Sequence, residues 1–348
     1  MSQPPVIALD AMGGDRSPEM AIEGTALAAR RHPGTRFLLH GDRARLEPLV
    51  AAKTALAGAV EIVHSDQVIV GDEKPSQALR RGRGSSMGMA IESVREGRAQ
   101  GAVSAGNTGA LMALAMFQLK TLPEIDRPAI VSVMPTKIGS ISCMLDLGAN
   151  VQCDADNLVQ FAIMGAAFAR VVIGIARPRV GLLNVGSEDL KGHDEVRLAA
   201  QLLRERALPF EFLGFVEGDA ILSGEVDVTV TDGFTGNIAL KAMEGAVKMV
   251  TGLLRTNLSA TWRARGGYLL ARPAFDRVRD TVDPRRYNGA MFLGLNGIVV
   301  KSHGGTDEIG FANAIRVAIE LAENRIGDRI IADMRGLKSE QPTAAGAR

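Results

Sequence analysis

Residues 224–241 read GEVDVTVTDGFTGNIALK, and this stretch holds a strand, a break and the start of a helix. Val226, Val228 and Val230 alternate with Asp227, Thr229 and Thr231 at the two-residue period of a strand, and Asp232-Gly233 ends that period. Ile238, Leu240, Met243, Val247 and Val250 then fall at helical spacing, with Thr235 or Asn237 as the expected cap. A glycine loop between strand and helix aims unpaired backbone N–H groups and the positive end of a helix dipole at one point. That is a way to hold an anion, although an ordinary βα turn has the same outline.

The unit recurs in both directions along the chain. Upstream, residues 180–185 form an apolar strand, followed by the polar loop 186–194, a helix over 195–206 and a strand over 210–213. At the amino terminus, residues 6–9 form a strand ending at Asp10, and Ala11, Met12, Gly13, Gly14 and Asp15 make a loop before a helix opened by Pro18. Strands at 37–39 and 60–63 enclose a helix capped by Asp42, so βαβαβ is in place early and implies a parallel sheet. A strand over 102–105 runs into Gly106, Asn107, Thr108 and Gly109 and then a helix of small and apolar residues. Residues 298–301 form the last strand, leading through His303 and Gly304 to a helix over 308–324. Between these, residues 129–134 and 141–145 flank a polar turn and read as a β-hairpin inserted into the sheet. The expectation is an α/β chain, a mostly parallel doubly wound sheet, forming one domain over 1–337 with a disordered tail at 338–348.

Composition narrows the function classes. A net charge of +1 over 348 residues gives no global bias toward nucleic acid or membrane, and 4% aromatic residues disfavour a base-stacking surface. The two cysteines, Cys143 and Cys153, are too few for a disulfide framework, and the first residues lack a basic and an apolar signal region. A reduced, cytosolic setting is therefore expected. Residues 158–176 are apolar enough to test as a membrane span, but Gln160 and Arg170 lie inside, so the segment reads as a helix and turn buried in the core or a subunit interface. Local basic groups stand out instead. Arg80, Arg81 and Arg83 sit in a polar excursion, and residues 258–287 mix Trp262, Leu269 and Leu270 with Arg263, Arg265 and Arg272. That second segment suits a membrane surface or an acidic partner, or else a solvated helical hairpin whose arginines pair with Asp276, Asp280 and Asp283.

In a doubly wound sheet, ligands bind beyond the carboxyl ends of the strands, so all these loops are expected at one shared edge. Converging there, Asn107, Thr108, Thr235 and Asn237 with Lys191, His193, Lys241, Lys301 and His303 suit a phosphate and an oxyanion forming beside it. No Walker sequence, GxSxG elbow or His/Cys metal spacing occurs, and residues 82–88 only imitate a dinucleotide fingerprint. The expected reaction is direct transfer, in which an ionised phosphate attacks an electrophile held next to it. Lys191 and Lys241 are candidates for the phosphate, and His193 or His303 for a proton. Asp232 would repel phosphate, so it is assigned to support, with ligand contact left to the Thr235 and Asn237 end.

The chain also resembles the bacterial phosphate acyltransferases of phospholipid synthesis. The residues that carry the resemblance are IALDAMGGD from Ile7, KPSQALR from Lys74, SSM from Ser85, SAGNTGALM from Ser104, MLDLGAN from Met144, LLNVGSEDLKG from Leu182, VTDGFTGNIALK from Val230 and GLNGIVVKSHG from Gly294, spread over nearly the whole chain. The resemblance implies a three-layer α/β/α fold similar to phosphotransacetylase and the isocitrate and isopropylmalate dehydrogenases. It implies transfer of a long fatty acyl group from acyl carrier protein to inorganic phosphate, the acyl phosphate then serving a membrane-bound glycerol-3-phosphate acyltransferase. A homodimer, peripheral membrane association and no metal or nucleotide cofactor come with it. On these motifs Lys191, His193, Asn237 and His303 are the catalytic candidates. Asp10, Gly13, Gly14, Asn107, Thr108, Gly109, Asp232, Gly233, Thr235, Lys241 and Gly304 are candidates for substrate and phosphate. Arg263, Arg265, Leu269, Leu270 and Arg272 are candidates for membrane or carrier-protein contact. The helices after Gly109 and Asn157 are expected to supply an apolar trough for the acyl chain, and the two arginine groups suit an acidic carrier without the sequence dividing them from lipid headgroups. Val151-Gln152-Cys153 departs from the family pattern, where an acidic residue is expected. Competing readings are a phosphotransacetylase using short acyl-coenzyme A, a decarboxylating hydroxy-acid dehydrogenase and a non-catalytic membrane scaffold.

Overall fold

The computed structural model describes residues 4–69, 73 and 75–339. Eleven strands join one sheet: β1 (Val6–Asp10), β2 (Arg36–Gly41), β3 (Val60–His64), β4 (Gly101–Ser104), β5 (Ala129–Pro135), β6 (Ile141–Leu145), β7 (Arg179–Leu183), β8 (Glu211–Val216), β9 (Val228–Val230), β10 (Ala290–Leu293) and β11 (Ile298–Lys301). Their order across the sheet is β3-β2-β1-β4-β11-β10-β5-β6-β9-β7-β8. The helices are α1 (Glu19–Arg31), α2 (Arg43–Ala51), α3 (Pro75–Arg81), α4 (Ser86–Arg95), α5 (Thr108–Leu119), α6 (Ala155–Phe168), α7 (Asp194–Arg204), α8 (Gly233–Ala260), α9 (Trp262–Thr281), α10 (Glu308–Glu323) and α11 (Ile326–Ser339).

Helices cover both faces, which gives the expected three-layer, mostly parallel sheet. Ile7, Leu9, Val103, Val131, Leu145, Val180 and Val300 point into one core with residues of α1, α6, α7, α10 and α11. Ile130, Met144, Phe292 and Val299 point to the other face, under α4, α5 and the first turns of α8. Strands buried on both sides explain the continuous apolar runs that the sequence shows at β1, β4, β7 and β11. α6 is buried along its whole length, with a capping box between Asp154 and Asn157, and its end widens into a π-helical turn at Ala169–Ile173. That stretch, Ala155–Ile173, is long and apolar enough to cross a membrane, but most of it is buried inside the fold, as befits a core helix. Burying one Phe such as Phe161 contributes about 1.5–3 kcal/mol.

Strand direction decides where the loops go. β11 lies parallel to β4, and β10, β5 and β6 then alternate direction. β6, β9 and β7 run parallel to one another. By the third reversal this second group points opposite to β1, β4 and β11. Their carboxyl ends therefore emerge at opposite edges of the sheet, and the expectation of one shared edge is corrected. The reversal depends on β10, whose four residues the sequence reading missed; the hairpin of β5 and β6 was expected.

Other boundaries differ too. The cap of α8 is Asp232, whose carboxylate accepts Thr235 N, so neither Thr235 nor Asn237 caps it. The polar excursion that carries Arg80, Arg81 and Arg83 includes the helix α3 and a tight turn at Gly82–Gly84, while residues 70–72 and 74 lie outside the described residues. The expected tail starts too early, because α11 runs to Ser339; residues 340–348 of that tail lie outside the described residues. α8 and α9 project from the body. α8 buries only Gly233 and Gly236, and α9 buries nothing. Arg272 and Asp276 approach to 3.6 Å, as the hairpin pairing expected, and Arg285 binds Asp283 at 2.7 Å and Asp307 at 3.0 Å.

Candidate active site

At the first edge, the loops after β1, β4 and β11 close around one carboxylate. Asp10 is fully buried at the end of β1. Its Oδ1 accepts Ser86 Oγ at 2.6 Å, Gly13 N at 3.1 Å and Met12 N at 3.3 Å, and its Oδ2 accepts Ser104 Oγ at 2.7 Å. Burial pushes this carboxyl up, and the two serines and two N–H groups pull it back. Ser104 Oγ also accepts Gly106 N at 3.0 Å, and Gly304 O accepts Asp15 N at 3.0 Å. No side chain fits at Gly13, where a Cβ would lie 2.4 Å from Asp10 Oδ2 and 2.8 Å from Gly106 N. Lys301 Nζ donates to the carbonyls of Ala105 and Ser302, and burial lowers its pKa to about 8 against the opposing pull of Asp10 and Asp15. Asn288 ties Ser302 Oγ at 2.7 Å to Gly310 O at 2.7 Å.

The second edge uses the same device and leaves several polar side chains beyond it exposed. Asp146, after β6, is fully buried. It accepts Ile130 N at 2.9 Å, Gly148 N at 3.2 Å, Ala149 N at 3.0 Å, and Asn150 through N at 2.7 Å and Nδ2 at 2.9 Å. The loop after β9 docks on it: Gly233 N donates to Asn150 O at 2.7 Å, and a Cβ at Gly236 would meet Asp146 O at 1.9 Å. This close approach brings the start of α8 beside Gly148, with Asn237 as its neighbour. Asp232 accepts Thr235 N at 2.8 Å and Thr235 Oγ1 at 2.7 Å. Beyond β7, Asn184 Nδ2 donates to Lys191 O at 3.1 Å, and Gly192, at φ +86°, sits where a side chain would strike Asn184. His193 precedes α7 with no side-chain cap bond. Lys191, His193, Thr235 and Asn237 are all exposed, and Lys191 Nζ lies 3.9 Å from Glu188, its one ion-pair partner among the described residues.

The candidates thus fall into two sets. Asp10, Gly13, Gly14, Asn107, Thr108, Gly109, His303 and Gly304 belong to the first edge, and Lys191, His193, Asp232, Gly233, Thr235 and Asn237 to the second. Asn107 caps α5 through Ala110 N at 2.8 Å, and His303 Nδ1 accepts Gly305 N at 3.1 Å. Lys241 is turned to Glu244 at 2.9 Å on the outer side of α8. The trough expected along α6 is filled by the protein's own core, since every residue of that helix except Asp156 is buried. Ser86, Ser104, Asn150, Asn184 and Asn288 were not picked out by sequence reasoning; the serines meet Asp10 across 76 and 94 residues, which leaves no local pattern. Cys153, near the second edge, is pushed up to about 12 by burial and by Asp146 and Asp232, and burial pushes Cys143 up as well. Among the described residues no group of three His, Cys, Asp or Glu is placed to hold a metal ion.

A family model described as fatty acid synthesis protein matches residues 6–329. The phosphate acyltransferase of Paramagnetospirillum magneticum is 53% identical over 352 residues, covering 100% of this chain and 100% of the relative. That of Granulibacter bethesdensis is 56% identical over 325 residues, 93% of this chain and 88% of the relative. Among solved structures, a phosphotransacetylase from Streptococcus pyogenes matches with TM-score 0.62 and 16% identity over 93% of this chain and 95% of its own. A 4-hydroxythreonine-4-phosphate dehydrogenase from Klebsiella pneumoniae matches with TM-score 0.54 and 15% identity over 92% and 99%. What these distant structures share with the chain is the fold expected from its sequence.

Proposed function

The chain belongs to the fatty acid synthesis protein family, and from that premise we propose that it is a phosphate acyltransferase taking a long fatty acyl group from acyl carrier protein to inorganic phosphate. A phosphate oxygen attacks the thioester carbonyl carbon, the C–S bond breaks, and the carrier thiolate leaves and takes a proton. The product is acyl phosphate. The observation that carries this reading is that the loops after the neighbouring strands β7 and β9 leave Lys191, His193, Thr235 and Asn237 exposed at the second edge. Lys191 and the helix N-terminus offset the charge of the phosphate, and the Asn237 amide donates to the developing oxyanion. His193 supplies the proton to the leaving sulfur. With Cys153 held as a thiol at neutral pH, direct attack is favoured over an acyl-enzyme on that sulfur.

Two surfaces support the rest of the proposal. α8 leaves Val247, Met249, Val250, Leu253 and Leu254 exposed, an apolar stripe that a second copy of the chain would cover in a homodimer. α9 leaves Trp262 at 79%, Leu269 at 67% and Leu270 at 86% exposed, interleaved with Arg263, Arg265 and Arg272. Such side chains enter the headgroup region of an anionic bilayer while the arginines hold its phosphates. The enzyme is then cytoplasmic and peripherally bound, passing its product to a membrane-bound glycerol-3-phosphate acyltransferase. No cofactor and no nucleic acid take part.

The test supplies phosphate with either palmitoyl-loaded carrier protein or acetyl-coenzyme A. Acyl phosphate from the carrier is expected; turnover of acetyl-coenzyme A alone would assign the chain to the phosphotransacetylases instead. Leu269→Glu with Leu270→Glu is expected to lower binding to phosphatidylglycerol vesicles and leave turnover of soluble substrate within twofold of the parent, since exposed substitutions change stability by about 0.5 kcal/mol or less. Equal vesicle binding by mutant and parent would remove α9 as the membrane contact.

A further inference from the structure

Arg80 and Arg81 end α3, and Arg83 lies in the tight turn Gly82–Gly84 that follows. All three side chains are exposed, and none forms an ion pair with a described residue. Some surface arginines are matched, as Arg43 is by Glu47, Arg98 by Glu96 and Arg204 by Asp189. On a chain of net charge +1, three unmatched cations within four residues form a local positive field. The patch also has an apolar seat. The Arg83 guanidinium stands 4.8 Å from the ring centre of Phe117, which is 53% exposed, with Met116 and Leu79 exposed beside it. α3 and α5 pack together, so these side chains share one surface.

The surface lies along α5, which starts at the Asn107 cap on the first edge and ends toward the second, where the exposed Lys191, His193, Thr235 and Asn237 stand. Just past its end, Leu122 N donates to Gly294 O at 2.8 Å, directly after β10, which runs antiparallel to β11. We infer that Arg80, Arg81 and Arg83 with Phe117, Met116 and Leu79 form the docking surface for the acidic carrier protein that brings the acyl thioester. The inference rests on the transfer reading above. A cationic rim around a small apolar seat fits an acidic helical surface. It suits a bilayer less well, since no side chain here protrudes as Leu270 does on α9, and one half-exposed ring makes no base-stacking track.

The experiment uses the full chain with Arg80→Glu, Arg81→Glu and Arg83→Glu combined, and separately Phe117→Ala, each checked by thermal unfolding. With palmitoyl-loaded carrier protein as donor, KM is expected to rise roughly tenfold or more with kcat little changed, and to lose its dependence on salt. With a small palmitoyl thioester lacking the carrier, both constants are expected to match the parent. An unchanged KM for the carrier-bound donor overturns the inference, as does an equal loss on both donors. Carrier binding is followed independently by fluorescence anisotropy. A parent that binds carrier and a triple variant that does not would keep the surface even if no acyl phosphate formed, in which case only the transfer reading falls. Loss of binding to phosphatidylglycerol vesicles in the triple variant, with carrier binding intact, would assign the patch to lipid and overturn the inference.

Discussion

The two edges of the sheet are built from the same part and finished differently. Each has a carboxylate at the end of a strand, Asp10 after β1 and Asp146 after β6, buried and wrapped by backbone N–H groups of its own loop. At the first edge the serines turn inward on Asp10, Lys301 caps carbonyls and Asn288 spans two loops, while Thr108 and His303 stay exposed at the rim. At the second edge the inner cup is complete, but Lys191, His193, Thr235 and Asn237 stand outside it, exposed. A buried carboxylate with four donors is a joint, whereas exposed cations and amides held by a fixed loop are free to meet a ligand. Asp10 and Gly13 therefore shape the loop after β1.

The largest expected effect strikes the joint. Asp10→Ala leaves Ser86 Oγ, Ser104 Oγ and two N–H groups without their acceptor in a closed space, at a cost of roughly 3 kcal/mol or more in urea unfolding. A loss below about 1 kcal/mol with acyl transfer abolished would make the first edge a ligand site and erase the contrast. Next in size is the opposite pattern at the second edge. Lys191→Ala and Asn237→Ala are expected to lower kcat about 10²- to 10³-fold, as removal of one oxyanion donor does. Their exposure limits the stability change to about 0.5 kcal/mol. Turnover within threefold of the parent in both variants would leave these exposed residues without a chemical role.

Much of the fold was legible because strand, glycine loop and helix each leave a local signature. The periods at 226–230 and 238–250 announced β9 and α8, and the turn between β5 and β6 announced a hairpin. What escaped was direction. Ala290–Leu293 is four residues long and sits behind the arginine-rich segment, so nothing local marks it as a strand; yet β10 completes the reversal that sends the later loops to the other edge. The candidate site was legible in its residue types and not in its grouping, since Asp10 and Asn237 have similar loop contexts and differ only in what the rest of the fold packs over them. The sequence does carry a hint of the shared device, for Leu9-Asp10 and Leu145-Asp146 are each followed by glycine within three residues.

Lys301 offers the finest test of the contrast, because its charge reports how closed the first edge is. Burial holds its ammonium down to about 8, while an unfolded chain keeps the proton to about 10.4. Between these values the unfolded state binds the proton and the folded state has released it, so folding stability gained from this group grows as pH rises through the window and is lost as pH falls back to about 8. Lys301→Met keeps the length and removes the titration. The difference in unfolding free energy between parent and variant should therefore move in the parent's favour by at most about 1.4 kcal/mol per pH unit from pH 8 to 10, and stay level from pH 6 to 7.5. Other titrating groups are common to both proteins and cancel in the difference. A flat difference across the whole range would mean that water reaches Lys301 freely, and the first edge would then be as open as the second.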